Sequence, residues 1–242
     1  MIPLNDENPT ELRPVVTILL IAANLATWVL LQGAGSEGAL EASVYSYGTV
    51  PCELTGGCRP EGIAWGSLLT SMFMHGGWGH LLGNMLFLWV FGNNIEDSMG
   101  HARFMAFYLI CGLVGGLAHV FLSPNSQLPA VGASGAISGI MGAYIVLYPR
   151  ARVRTWFPPI FIFHVRAWFF LGYWFLLQLA MAYSSFGTEP GEEGGVAVWA
   201  HVGGFVAGLV LVKLFENPAL VAARKRGVHL SPEEVARTGG GW

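Results

Sequence analysis

Charge is what this sequence has least of. Only 11% of its 242 residues are Asp, Glu, Lys or Arg, while 53% are hydrophobic. Soluble domains carry about 25% charge, so a water-soluble globular chain is excluded and a polytopic membrane protein is expected. Aspartate is scarcest: Asp6 and Asp97 are the only two. Neither lies in the core of an apolar segment, so chemistry based on an intramembrane aspartate pair has no source. The chain has no H-E-x-x-H, and its three cysteines form neither C-x-x-C nor a Cys/His metal spacing. Neither metal nor cofactor is therefore expected. A net charge of -3 leaves no general basic patch, which removes nucleic acid from the partners.

What is present is a series of apolar runs of the roughly 20-residue length that a bilayer needs. Residues 1–14 are polar and precede a first run from Val15 to about Leu31. A cleaved signal peptide is the alternative for that run. Its length, and the acidic Asp6, Glu7 and Glu11 ahead of it with only Arg13, favour a retained helix. A polar loop, 33–67, contains Cys52 and Cys58. Free thiols and a disulfide are both open there, the latter if the loop faces an oxidising compartment. Further segments cover about 69–95, 104–122, 134–148, 160–183 and 196–215, and a polar tail, 216–242, follows. The expected fold is an all-α integral membrane bundle of six helices spanning 15–215, with no separate soluble domain. With an internal N-terminus, every Lys and Arg except Arg59 falls on the inner side. Both termini are then cytosolic, and the 33–67 loop and the loop with Glu189, Glu192 and Glu193 face outward.

Polar residues inside apolar segments are costly, so each needs a reason. His80 and Asn84 stand one turn apart on a helix face at the start of segment two. Ser134 opens segment four within Gly132-Ala-Ser-Gly135. His201 opens segment six and shares a face with Gly204 and Gly208. Small residues at these spacings also serve close helix packing, and Gly-Ala-Ser-Gly by itself reads as a packing motif in preference to a catalytic one. Depth separates the readings. His80 precedes the inner marker Glu96 by sixteen residues, Ser134 precedes Arg150 by sixteen, and His201 precedes Glu216 by fifteen. At about 1.5 Å per residue, each lies roughly 22–24 Å above the inner boundary, in the outer third of the bilayer. Independent packing accidents would not align so.

Segment four, only about 22 Å long, must begin below the outer surface. Non-helical backbone at that depth is tolerated when it is packed in protein or lines a wet cavity. Such a cavity would supply water for hydrolysis. A serine is a weak nucleophile until a base takes its proton, and His201 is the candidate base. The Ser134 N–H, His80 and the Asn84 amide are candidate donors to an oxyanion. No acidic residue lies in segments four or six, so a Ser–His pair without a carboxylate is expected.

Taken in order, Met74-His75, His80-x-x-x-Asn84, Gly92-x-x-x-Glu96-x-x-x-Gly100 with Phe104, Gly132-Ala-Ser134-Gly and Ala200-His201-x-x-Gly204 resemble the rhomboid intramembrane serine proteases. The resemblance covers nearly all of the six-helix core. It implies a catalytic Ser134–His201 dyad and an oxyanion or substrate-binding site of His80, Asn84, Gly132 and the Ser134 backbone. It also implies a first loop partly in the outer leaflet, segment five as a lateral gate, and a small residue before the cut. The implied partners are single-span membrane proteins and lipid, and the implied location is a bacterial inner membrane. Two positions depart from the family pattern. Ser138 stands where many members carry an aromatic ring against the catalytic histidine, so His201 needs another restraint. Trp65 is followed by Gly66 where relatives often have arginine, so the first loop needs another anchor, for which Cys52 and Cys58 are candidates.

The remaining polar residues read more plainly. His75 is read as interfacial in preference to pocket-shaping, and His101, His119 and His164 as interfacial. Glu96 is read as a structural cap or ion pair, Arg150, Arg152 and Arg154 as topology signals, and Trp156 to Phe163 as a short interfacial stretch. The rival function is a non-catalytic rhomboid-like protein that binds transmembrane helices. Such relatives typically lack the serine or the histidine, and both are present here. A channel or transporter is disfavoured, because no charge lies at mid-bilayer depth and no inverted repeat is evident.

Overall fold

The computed structural model describes residues 1–60, 63–184 and 197–225. The chain starts with a strand β1 (Ile2–Asp6) and a helix α1 (Val15–Leu30). Two short helices, α2 (Glu37–Tyr47) and α3 (Pro51–Thr55), follow in the first loop, and α4 (Ser67–Thr70) leads out of it. Helix α5 (Trp78–Phe87) runs through a π turn, Leu88–Gly92, into α6 (Asn93–Met99). Then come α7 (His101–Leu122), α8 (Ser134–Leu147), strands β2 (Arg152–Phe157) and β3 (Phe161–Arg166), and helices α9 (Ala167–Ser184), α10 (Val198–Phe215) and α11 (Pro218–Lys225). Helices α7, α9 and α10 are long and apolar enough to cross a membrane, and α1 and α8 are shorter apolar helices. The protein is a multi-pass integral membrane protein. The Glu189, Glu192 and Glu193 loop, together with Arg226, Arg237 and the rest of the tail beyond 225, lies outside the described residues.

The fold is not all-α. Strands β1, β2 and β3 form an antiparallel sheet in that order, so the polar N-terminal segment contributes a strand and Trp156 to Phe163 belongs to a hairpin. The cause is local. In Arg152-Val-Arg-Thr-Trp-Phe157 every second residue is exposed or half-exposed, and Val153 and Thr155 between them are buried. That two-residue period belongs to a strand, and the β-branched and aromatic residues on both sides of Pro158-Pro159 favour it.

The first loop is tied down without an arginine after Trp65. Cys52 and Cys58 form a disulfide, with Cα atoms 5.3 Å apart. Thr49 pairs backbone to backbone with Ala130, Cys52 N–H donates to the Ser126 carbonyl (3.0 Å), and Thr55 Oγ1 donates to the Pro124 carbonyl (2.8 Å). These bonds fasten the loop to the segment that delivers Ser134.

Acids hold the other end. Helix α1 has no side-chain cap of its own at Pro14. The buried Glu96 carboxylate replaces one, accepting from the Val16 and Thr17 N–H groups (both 2.8 Å), from Thr17 Oγ1 (2.7 Å) and from His101 Nδ1 (2.6 Å). A carboxylate there satisfies orphan donors and complements the positive end of the helix dipole. Asp97 Oδ1 receives the Glu11 and Leu12 N–H groups, and Asp6 receives Asn94 Nδ2 (2.8 Å) and the Tyr144 hydroxyl.

Helix α10 packs chiefly on α8 and α7, through glycines. A Cβ on Gly204 would collide with the Gly135 carbonyl, one on Gly208 with the Gly139 carbonyl, and one on Gly142 with the Phe205 carbonyl. The two backbones therefore run in direct contact, the approach that small residues permit in membranes.

Two outcomes are expected. Glu96→Ala leaves three buried donors without an acceptor and lowers unfolding stability by about 2–4 kcal/mol, with Glu96→Gln between it and wild type. Thermal unfolding in detergent measures this, and a Glu96→Ala protein melting with wild type would refute the cap. Gly208→Ala is expected to cost about 1–3 kcal/mol or more through forced backbone separation. Gly38→Ala, where a Cβ meets nothing within 4 Å, should be neutral in the same assay.

Candidate active site

The local sequence sets the nucleophile candidate at the first residue of α8. Gly132 has φ +123°, a conformation that disfavours side chains, and its N–H donates to the Ser71 carbonyl (2.8 Å). A Cβ at Gly132 would sit 2.7 Å from His80 Nε2 and 3.3 Å from Asn84 Nδ2. A glycine is required there on two counts. The turn delivers Ser134 with its own N–H among the unpaired donors of a helix start.

Because the α8–α10 glycines allow backbone contact, His201 reaches Ser134: its Nε2 lies 2.7 Å from Ser134 Oγ. The other ring nitrogen, Nδ1, lies 2.8 Å from Gln178 Oε1 on α9. A carbonyl oxygen only accepts, so Nδ1 carries the proton and Nε2 is free to accept from the Ser134 hydroxyl. The Trp174 ring, one turn before Gln178, is centred 5.8 Å from the imidazole at 40°. Thus the restraint missing at Ser138 is supplied from α9 by an amide and a ring. Ser138 Oγ instead donates back to the Ser134 carbonyl (2.6 Å).

On the opposite side of Ser134 stand His80 and Asn84. His80 Nδ1 accepts from the Gly76 N–H (3.4 Å), which leaves Nε2–H as the donor facing Gly132. Asn84 Nδ2 is buried and has no hydrogen-bond partner among the described residues. A buried donor without an acceptor is costly, and one directed at a reaction centre is available to a developing oxyanion. Ser134, His80, Asn84, Trp174, Gln178 and His201 all line one cavity of about 510 Å³. No Asp, Glu, Lys or Arg among the described residues lines it.

Two histidines differ from their expected interfacial places. His75 is fully buried and packs edge-on to His80, ring centres 5.1 Å apart. The Gln32 side chain fixes its backbone, Oε1 accepting the His75 N–H (2.9 Å) and Nε2 donating to the His75 carbonyl (2.8 Å). His119 is also buried, and with Thr49, Ser71 and Ala200 it lines a cavity of about 30 Å³ behind Ser134. Both burials follow from tight packing beneath the first loop. His101 and His164 remain half-exposed at the opposite end, against Glu96 and Glu7. No group of three or more His, Cys, Asp or Glu able to hold a metal occurs among the described residues.

Gln178 and Trp174 are the residues that motif reading missed. The signal was there, since Gln178 is the one amide in an otherwise apolar and aromatic helix.

Sequence comparison bears on the family. The Rhomboid domain model matches residues 63–217, more than half of the chain. The chain is 29% identical over 164 residues to Rhomboid protein 1, mitochondrial, of Saccharomyces cerevisiae, covering 66% of this chain and 44% of that protein. It is 36% identical over 140 residues to the Rhomboid protease GluP of Bacillus subtilis, covering 57% and 26% respectively. It is also 35% identical over 83 residues to the Putative rhomboid protease YdcA of the same organism, covering 34% and 41%. The matches therefore span less than half the length of these relatives. With its motifs carried on one helical core and matched over that core, the chain belongs to the rhomboid family.

Proposed function

We propose that the protein is an intramembrane serine endopeptidase that cleaves transmembrane segments near the outer face of a bacterial inner membrane. The observation that carries this reading is the relay Gln178 Oε1···His201 Nδ1 and His201 Nε2···Ser134 Oγ, beside the unpartnered Asn84 amide. Bacterial relatives named as proteases support it. The proposal takes residues 15–215 as a six-helix catalytic core with both termini cytosolic. The Cys52–Cys58 disulfide favours an outward-facing first loop, because such bonds persist in oxidising compartments.

The reaction is acyl transfer in two steps. Ser134 Oγ attacks the scissile carbonyl as His201 Nε2 takes its proton, and the carbonyl electrons move onto oxygen. His80 Nε2–H, the Asn84 amide and the Ser134 N–H stabilise that oxyanion. The collapsing intermediate expels the amine, which receives the proton from His201. Water, deprotonated by the same nitrogen, then hydrolyses the acyl-enzyme. Gln178 keeps the imidazole in the tautomer whose Nε2 can accept. A helical substrate must unwind before its backbone can enter, since helical carbonyls are already engaged. Single-span segments with Gly or Pro near the outer boundary are the preferred class.

The test is cleavage of a single-span substrate by lipid-reconstituted protein, with cut sites mapped by mass spectrometry. Ser134→Ala and His201→Ala are each expected to lower the rate at least about a thousand-fold. Cleavage that survives both would overturn the reading. Labelling of Ser134 by a fluorophosphonate distinguishes a selective protease from an inert helix-binding protein. Gln178→Ala should lower kcat by about 10- to 100-fold with little change in KM, because it loosens a positioned base without touching substrate. An equal loss spread into KM would mean instead that Gln178 contacts substrate.

A further inference from the structure

The β2–β3 hairpin has no place in the chemistry, yet its surface is unusual in composition and exposure. Among the described residues strand β3 is an edge strand, paired only with β2. Five of its six residues are exposed, counting residues on both faces. The turn end is apolar, with Phe157 50%, Ile160 78% and Phe161 65% exposed. In water, an apolar edge strand invites pairing with other chains, and native proteins blunt such edges with charge or cover. Here the charge lies elsewhere, at the base. Arg152 is the direct cross-strand partner of Arg166, and Arg154 of His164. By the two-residue period, Arg152, Arg154, His164 and Arg166 share one face.

Directly opposed like charges destabilise a strand pair. Among the described residues the one acidic group paired on this face is Glu7, 3.2 Å from His164 Nε2. None of the hydrogen bonds or ion pairs among the described residues engages the guanidinium of Arg152, Arg154 or Arg166. An anion seated between the arginines would remove their repulsion. An apolar medium at the tip would cover the aromatic residues. A cationic base with an apolar tip is the pattern of elements that lie in a membrane interface and bind acidic lipid. The hairpin also joins two apolar helices directly, β3 ending at Arg166 and α9 starting at Ala167.

We propose that the β2–β3 hairpin is a docking surface for anionic phospholipid, with Arg152, Arg154 and Arg166 holding headgroup phosphate and Phe157, Ile160 and Phe161 entering the acyl boundary. The inference does not depend on the protease reading, and neither readout below involves catalysis. Ile160→Cys, labelled with an environment-sensitive fluorophore, suits the purpose, because Cys111 is buried and Cys52 and Cys58 are bonded. The labelled protein is reconstituted in phosphatidylcholine vesicles with or without about one-third phosphatidylglycerol. Nitroxides on the lipid chains are expected to quench the label about five-fold more than aqueous iodide does. Native mass spectrometry should find phosphatidylglycerol retained about ten-fold less by Arg152→Gln/Arg154→Gln/Arg166→Gln than by wild type. Arg166→Gln alone, with an intermediate loss, serves if the triple variant does not fold. Iodide access to residue 160 in both vesicle types, or lipid retention unchanged by the arginine substitutions, would overturn the proposal. So would a label shielded only when a second protein is bound.

Discussion

The fold turns on how closely two backbones can run. Helices α8 and α10 touch carbonyl to Cα, because Gly135, Gly139 and Gly142 face Gly204, Phe205 and Gly208 with no side chain between them. In a bilayer, apolar side chains gain nothing by leaving lipid for protein, so contact has to come from packing and from close approach. The same approach fixes the distance from Ser134 to His201. Stability and the alignment of the reacting groups are thus one constraint. A side chain that separated the helices would weaken the packing and break the Ser134–His201 hydrogen bond together.

The two ends of the bundle solve different problems. At the Ser134 end, backbone leaves helix at depth, and it is satisfied by pairing with the first loop and by the Gly132 bond to Ser71. At the other end, carboxylates substitute for absent caps. Glu96 closes α1, while Asp97 and Asp6, the only aspartates in the chain, receive the N-terminal segment. The two buried acids, Glu96 and Asp97, each accept from backbone N–H groups, which makes their burial tolerable.

Much of the site was legible in the sequence, because polar residues are expensive in apolar segments and therefore informative. By residue count His80, Ser134 and His201 fell at one depth, Asn84 followed His80 by one turn on the same face, and Gly132 sat beside the serine. The same rule applied to segment five would have exposed Gln178. Attention to that segment as an apolar gate hid its single amide. His119 shares a helix face with Gly115, which meets the Ala200 carbonyl, and that four-residue spacing would have turned it inward rather than to the interface. The sheet was hidden because its arginines double as topology signals, which masks the two-residue alternation of Arg152 to Phe157. The disulfide stayed open because spacing does not report the fold of a loop.

The group that orients His201 is an amide, where a carboxylate would have brought a permanent charge. Among the described residues the cavity wall holds imidazole, amide and hydroxyl groups and no Asp, Glu, Lys or Arg, so none of them brings a permanent charge to the site. A transmembrane voltage does work only on charge, about 2.3 kcal/mol per elementary charge per 100 mV across the full span. In the proposed reaction, charge appears only as an imidazolium and an oxyanion a few ångströms apart, formed and extinguished together. On that proposal these groups offer the membrane potential almost no lever, and the reaction would run alike in an energised and a depolarised membrane.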